Sequence, residues 1–189
     1  MDLVKKAKAD TAVGTDGIPL KAIAKFPEPL QVALFHIAKG WVEGHIAPHA
    51  DWLEARVELL SKGGDTNPRR IEDRRPISIL NALYKVVATV LDRWLRSNLK
   101  VHPAQFGFQA GVSTWQATCR MKCIMESLGL DPGWFAFVDF RRAFPSTGVA
   151  LVRAILQKRG VPMQVLKLID SLYVGATEKI NVNKRVCVI

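Results

Sequence analysis

Asp139 closes an almost unbroken apolar run, Trp134-Phe135-Ala136-Phe137-Val138. An unpaired carboxylate at the end of a buried strand is costly. It needs a cation, hydrogen-bond donors or an exposed strand end. A magnesium ion meets that need, because it takes one or two carboxylates together with substrate phosphates. A surface charge at the strand end, or a pair with Arg141 or Arg142, meets it equally. Five residues further on, Phe144 has the shape to lie flat beneath a sugar ring or to fill a core. A third group is basic: Lys62, Arg69, Arg70, Arg74 and Arg75. Arginine offers phosphate a two-pronged donor and lysine a point charge. Asp65, Glu72 and Asp73 in the same stretch make a self-balanced, solvated loop the alternative.

The remaining chemistry-bearing residues point elsewhere. Cys119 and Cys123 are four apart, so on a helix they share a face, and with no second ligand pair beside them they are expected to be buried thiols rather than zinc ligands. His45 and His49 have the same spacing, but Pro48 between them argues against a helix and so against a metal pair. The chain has 27 Lys and Arg against 17 Asp and Glu, a formal charge of +10. That surplus suits a polyanionic partner, with nucleic acid ahead of membrane. No apolar stretch of about 20 residues occurs, so no membrane span is expected. Three cysteines without a secretory leader suit a reducing, intracellular setting, nuclear or cytoplasmic, rather than secretion.

These residues need elements to hold them. At 189 residues and 49% hydrophobic, the chain can build one ordinary domain. Gly14, Asp16, Gly17 and Pro19 mark a turn. The spacing of Leu30, Ala33, Leu34, Ile37 and Trp41 predicts a helix after Pro29. Val57, Leu59 and Leu60 predict a short strand running into the basic, turn-rich segment, with Ile77 to Asn81 as a connector. A long helix follows from about Ala82 to Ser97, with Val87, Leu91 and Leu95 on its apolar side. A glycine-rich loop, FGFQAGVST, then leads to a helix that Ser113 or Thr114 caps. Trp134 to Phe140 reads as a central strand covered on both faces. Helices from Val149 to Arg159 and from Pro162 to Tyr173 come next, and Ile180, Val182, Val186 and Val188 predict a final strand. The whole is an α+β pattern.

The order of five motifs resembles the reverse transcriptases of non-LTR retrotransposons, from about Gly14 to Val182. TDGIP (15–19) is similar to the family's opening turn. LLSKGGD (59–65) with RRPISILNALYKV (74–86) is similar to its first two fingers motifs. HPAQFGFQAGVST (102–114) resembles its glutamine and glycine-phenylalanine loop, FAFVDFRRAFPST (135–147) its first palm motif, and LQKRGVPMQVLKLIDSLYVG (156–175) the helical segment that follows. The resemblance implies a right-hand polymerase: fingers over residues 1–130 and part of the palm (strand, two helices, strand) over 131–189. It implies that Asp139 is a catalytic Mg²⁺ ligand and that the Phe140 backbone carbonyl helps hold the metals. Phe144 would be a gate against the ribose 2′-hydroxyl, and Lys62 and Arg75 would hold the incoming triphosphate. Arg69, Arg70, Arg74, Gln105, Gly107 and Gly111 would lie along the nucleic acid. The implied partners are an RNA template, a DNA primer and a deoxynucleoside triphosphate.

Three features depart from the family. Its paired-aspartate motif is missing, since no Asp-Asp dipeptide occurs in the 189 residues. The resemblance therefore implies a palm truncated before the catalytic hairpin, with no polymerisation by this chain alone. Pro145 stands where the family has Asp, with Ser146 or Thr147 as replacement caps, and Gln109 stands where it has Arg. The alternative expectation is a non-catalytic nucleic-acid-binding remnant of a decayed retroelement.

Overall fold

The computed structural model describes residues 12–64, 67, 70, 73–129, 133–182 and 185–188, with backbone alone for Pro145, 181–182 and 185–188. Arg69, Asp65 and Glu72 lie outside these residues, as does the start of the chain. The chain forms two compact units, Met1–Leu95 with Val149–Ile189, and Arg96–Gly148.

The first unit opens with a 3₁₀ helix, Leu20–Lys25. Helix α1 (Glu28–Val42) follows, with proline in its first turn and Glu28 at its positive end. Gly40 lets the chain fold back tightly. Its carbonyl accepts from the His45 and Ile46 N–H groups, and a Cβ there would lie 2.5 Å from the Ile46 side chain. A short α2 (Ala50–Leu53) is capped by His49, whose Nδ1 accepts from the Asp51 N–H. Strands β1 (Glu54–Ser61) and β2 (Arg74–Leu80) form an antiparallel hairpin. The stretch Ile77–Asn81, expected as a connector, is thus mostly strand. Pro76 is tolerated because β2 is an edge of the sheet, which runs β2-β1-β3-β4. β3 (Thr177–Val182) pairs parallel to β1, and β4 (Arg185–Val188) antiparallel to β3.

One sheet face is closed by Ala55 and Val57, both buried. The core continues through α3 (Ala82–Asn98), where Val87 is 0% exposed, and α7 (Met163–Tyr173), which buries Leu166, Leu168, Ile169 and Leu172. α6 (Val149–Lys158) is tied to α7 by an Arg153 to Asp170 ion pair of 3.0 Å. Buried polar tips find partners, as they must. The Trp41 indole donates to Ser171 Oγ at 2.9 Å, and the Tyr84 hydroxyl donates to the Leu172 carbonyl at 3.2 Å. Burial pushes the Tyr84 hydroxyl up to about 12. Asn81, buried between β2 and α3, accepts from the Thr15 hydroxyl and the Asp16 N–H, each at 3.1 Å, and donates to the Asp51 carbonyl. A Cβ on Gly14 would collide with Asn81, so this loop can lie down only as glycine.

The second unit contains α4 (Thr114–Leu128) and the four-residue α5 (Ala143–Ser146). Ser113 stands at the α4 N-cap, and its N–H donates to Gln116 Oε1 at 2.8 Å. No described residue from 96 to 148 is buried. Here the structure corrects the sequence. Residues 133–140 form no strand, and Trp134 is 99% exposed. A strand needs a ladder partner, and the four described strands all belong to the first unit. Cys123 is likewise exposed rather than a buried thiol. Among the described residues, no helix is long and apolar enough to cross a membrane.

Candidate functional site

The basic cluster is built by the β1–β2 hairpin. Its register sets Leu60 opposite Arg75 and Ser61 opposite Arg74. The Lys62 N–H donates to the Asp73 carbonyl at 3.1 Å, which carries the pairing one residue further. Side chains alternate along a strand, so Lys62, Leu60 and Arg75 share one face and Arg74 takes the other. Lys62 and Arg75 are both exposed on that open face, with Leu60 and Ile77 exposed beside them. Arg74 bends back to donate to the Leu59 carbonyl at 3.0 Å, a bond that stiffens the hairpin. Gly63 and Gly64 have φ of +78° and +66°, which turns the chain sharply just past Lys62. Arg70 is exposed in the same loop, its N–H bonded to the Asn67 carbonyl at 3.0 Å.

Further along the open face, Lys179 meets Glu54 at 2.6 Å, and this contact, more than any other, holds the Glu54 carboxyl below its usual range. Ser78, on the side of β2 that Arg74 shares, donates to Glu178 at 2.6 Å. Sequence reasoning passed over these pairs because the partners are far apart in the chain and meet only through the parallel β1–β3 pairing.

The other expected site residues belong to the second unit. Asp139 and Phe140 are exposed in the segment 133–140, which has no regular secondary structure. Arg142 follows with φ +53° and opens α5 without a side-chain cap. Ser146 and Thr147 do not replace the missing Asp. Their hydroxyls donate back to the Arg141 and Ala143 carbonyls, at 3.3 and 2.8 Å, because both lie at the far end of the helical turn. Phe144 meets the Phe108 ring edge-on, with centroids 6.0 Å apart. Phe108 has φ +60°, and Arg96 donates to its carbonyl at 2.6 Å. Gln105 donates to the Gly107 carbonyl at 3.1 Å, and Gly111 turns the loop at φ +74°. Arg120 braces the loop from α4, donating to the Pro103 carbonyl and lying 5.9 Å over the Phe106 ring.

Among the described residues, no group of three His, Cys, Asp or Glu is placed to hold a metal. Asp139 alone supplies one carboxylate. That fits Mg²⁺ only as one member of a set shared with phosphates and carboxylates from elsewhere. No family model matches the chain. Over 154 residues it is 27% identical to the retrovirus-related Pol polyprotein from type-1 retrotransposable element R2 of Popillia japonica. The match covers 80% of this chain and 20% of that protein, so the chain spans about a fifth of its relative's length. The chain is retrotransposon-related.

Proposed function

We propose that the chain is the fingers and leading palm portion of an RNA-directed DNA polymerase, and that it supplies part of a nucleotidyl-transfer site without polymerising alone. The observation that carries this is the hairpin register, which puts Lys62 and Arg75 on one open face of a sheet whose other face is closed by core. Two cations on one face, beside exposed Leu60 and Ile77, suit a triphosphate with its base or sugar resting on apolar surface. The relationship to a Pol polyprotein supports the same conclusion. Arg70, Arg74 and the Gln105–Gly111 loop would follow the nucleic acid backbone. Phe144 would exclude a ribose 2′-hydroxyl. Asp139 and the Phe140 carbonyl would contribute to the metal set. Bound Mg²⁺ there would supply charge neutralisation at the phosphoryl oxygens.

A second reading has its own observation: among the described residues, no group of three His, Cys, Asp or Glu is placed to hold a metal. On that reading the chain binds RNA or an RNA–DNA hybrid without chemistry. Calorimetric titration of deoxynucleoside triphosphate, with and without Mg²⁺, separates the two. The polymerase reading expects Mg²⁺-dependent binding that Asp139→Asn abolishes and that Lys62→Ala with Arg75→Ala weakens at least roughly tenfold. Hybrid binding that falls steeply with salt, with no nucleotide binding at all, leaves the remnant reading in its place.

A further inference from the structure

Phe108 and Arg142 are the two non-glycine residues with positive φ among the described residues, at +60° and +53°. Bulky side chains avoid this conformation, and they persist in it only where the surroundings impose it. Both positions border the same ring pair. Phe108 is one member, and Arg142 stands two residues before Phe144, the other. Gly107, directly before Phe108, is not among the positive-φ glycines. The chain thus has a glycine beside the left-handed position and places a phenylalanine in it. Arg96 closes a charged hydrogen bond of 2.6 Å on the Phe108 carbonyl, which holds the strained residue from the end of α3. The two rings meet at 89°, the favoured edge-to-face arrangement. Phe108 is 78% and Phe144 77% exposed, so no core orients either ring. Phe144 rides on a helix of four residues, too short to fix its own side chain.

We propose that Phe108, held by Arg96, is a positioning residue for Phe144 and sets how sharply a nucleotide site distinguishes deoxyribose from ribose. This rests on the proposed role of Phe144 as a sugar gate and adds what holds the gate still. A gate discriminates only if its ring cannot swing aside when a 2′-hydroxyl arrives. With Phe144 77% exposed, the Phe108 edge is the ring contact that limits that swing. Arg96 acts through the Phe108 carbonyl, and neither it nor Phe108 needs to touch the nucleotide.

The test uses the full 189-residue chain carrying 4-fluorophenylalanine, with the residue-144 resonance assigned through Phe144→Leu. Binding of deoxyadenosine and adenosine triphosphate is measured with Mg²⁺. Phe108→Gly is the informative variant, because glycine accepts the left-handed backbone and keeps the loop while removing the ring. The expected result is a residue-144 resonance that moves to its solvent position in Phe108→Gly. The deoxy preference should fall roughly three- to tenfold, matching Phe144→Ala, with rescue by Phe108→Tyr. Arg96→Met is expected to produce part of the same loss. If Phe144→Ala loses the preference while Phe108→Gly keeps both the preference and the resonance, the positioning role is overturned and the nucleotide site stands. If the unaltered chain shows no preference, or Phe144→Ala does not change it, the gate itself falls and Phe108 has nothing to position.

Discussion

Asn81 is the buried polar residue of the described core, and its amide joins three segments that are distant in sequence. The Thr15–Asp16 turn, the Asp51 carbonyl and the start of α3 all converge on it, while the Asp16 carboxylate accepts from the Ala82 N–H at 2.7 Å. Asn81→Ala strips partners from partly buried backbone groups, each costing about 1–3 kcal/mol when left unpaired. A loss of about 3 kcal/mol in urea unfolding is expected, with Asp16→Ala costing about 1 kcal/mol as a lost cap. Near-zero effects for both would mean that the turn is held by something else. Glu54 gives a pH-dependent counterpart. Its bond to Lys179 lowers the folded carboxyl below the ordinary 4.5, so the stabilisation is present above that value and is lost as pH falls through the lower folded one. Glu54→Gln should therefore unfold at lower urea than the unaltered chain at pH 7, and the gap should narrow and close as pH falls through the lowered folded value. The TDGIP motif was legible in sequence as a turn. That Asp16 caps a helix 66 residues away was not, because a cap across that separation leaves no local pattern.

Helices announced themselves by their apolar spacing, whether or not that stripe is buried. The expected Ala82–Ser97 helix is Ala82–Asn98, and the expected 149–159 and 162–173 helices are Val149–Lys158 and Met163–Tyr173. β2 was hidden because Arg74-Arg75-Pro76 shows neither alternation nor apolar character, and its strand state comes from pairing with β1. The error at Trp134–Phe140 has the opposite cause. The apolar pattern there is strong, but no described strand is available beside it. Of the site residues, the sharing of a face by Lys62 and Arg75 follows from register, which no single segment encodes. The contrast between α4 and α7 makes an element-level prediction. α7 buries four leucine or isoleucine side chains and α4 buries none, although α4 is the longer helix, 15 residues against 11. Amide exchange in α4 should proceed through local opening and be far faster than in α7, whose amides should approach the global limit. Equal protection in the two helices would contradict the burial pattern.

At the scale of the molecule, the two units differ in what can hold them together. Every buried hydrophobic residue described lies in the first, and the second, Arg96–Gly148, contributes none. Unfolding enthalpy scales with ordered, packed chain at about 0.7 kcal/mol per residue near 60 °C. Calorimetry of the free chain should therefore give one transition whose enthalpy matches the length of the first unit rather than of all 189 residues. A protease should enter first between Gly133 and Arg142, where the chain is exposed and lies outside any helix or strand. This segment carries Trp134, Phe137, Val138 and Phe140, each more than three-quarters exposed, next to Asp139. Such a surface is stable in water only at a cost, and covering it would add both packing and a low-dielectric wall beside the carboxylate. Nucleic acid and nucleotide together should then slow cleavage at 133–142 more than cleavage elsewhere, because the proposed site draws on this segment. If ligand instead protects only the β1–β2 hairpin, its basic residues bind polyanion without engaging Asp139, and the chemistry assigned to that carboxylate has no role in this chain.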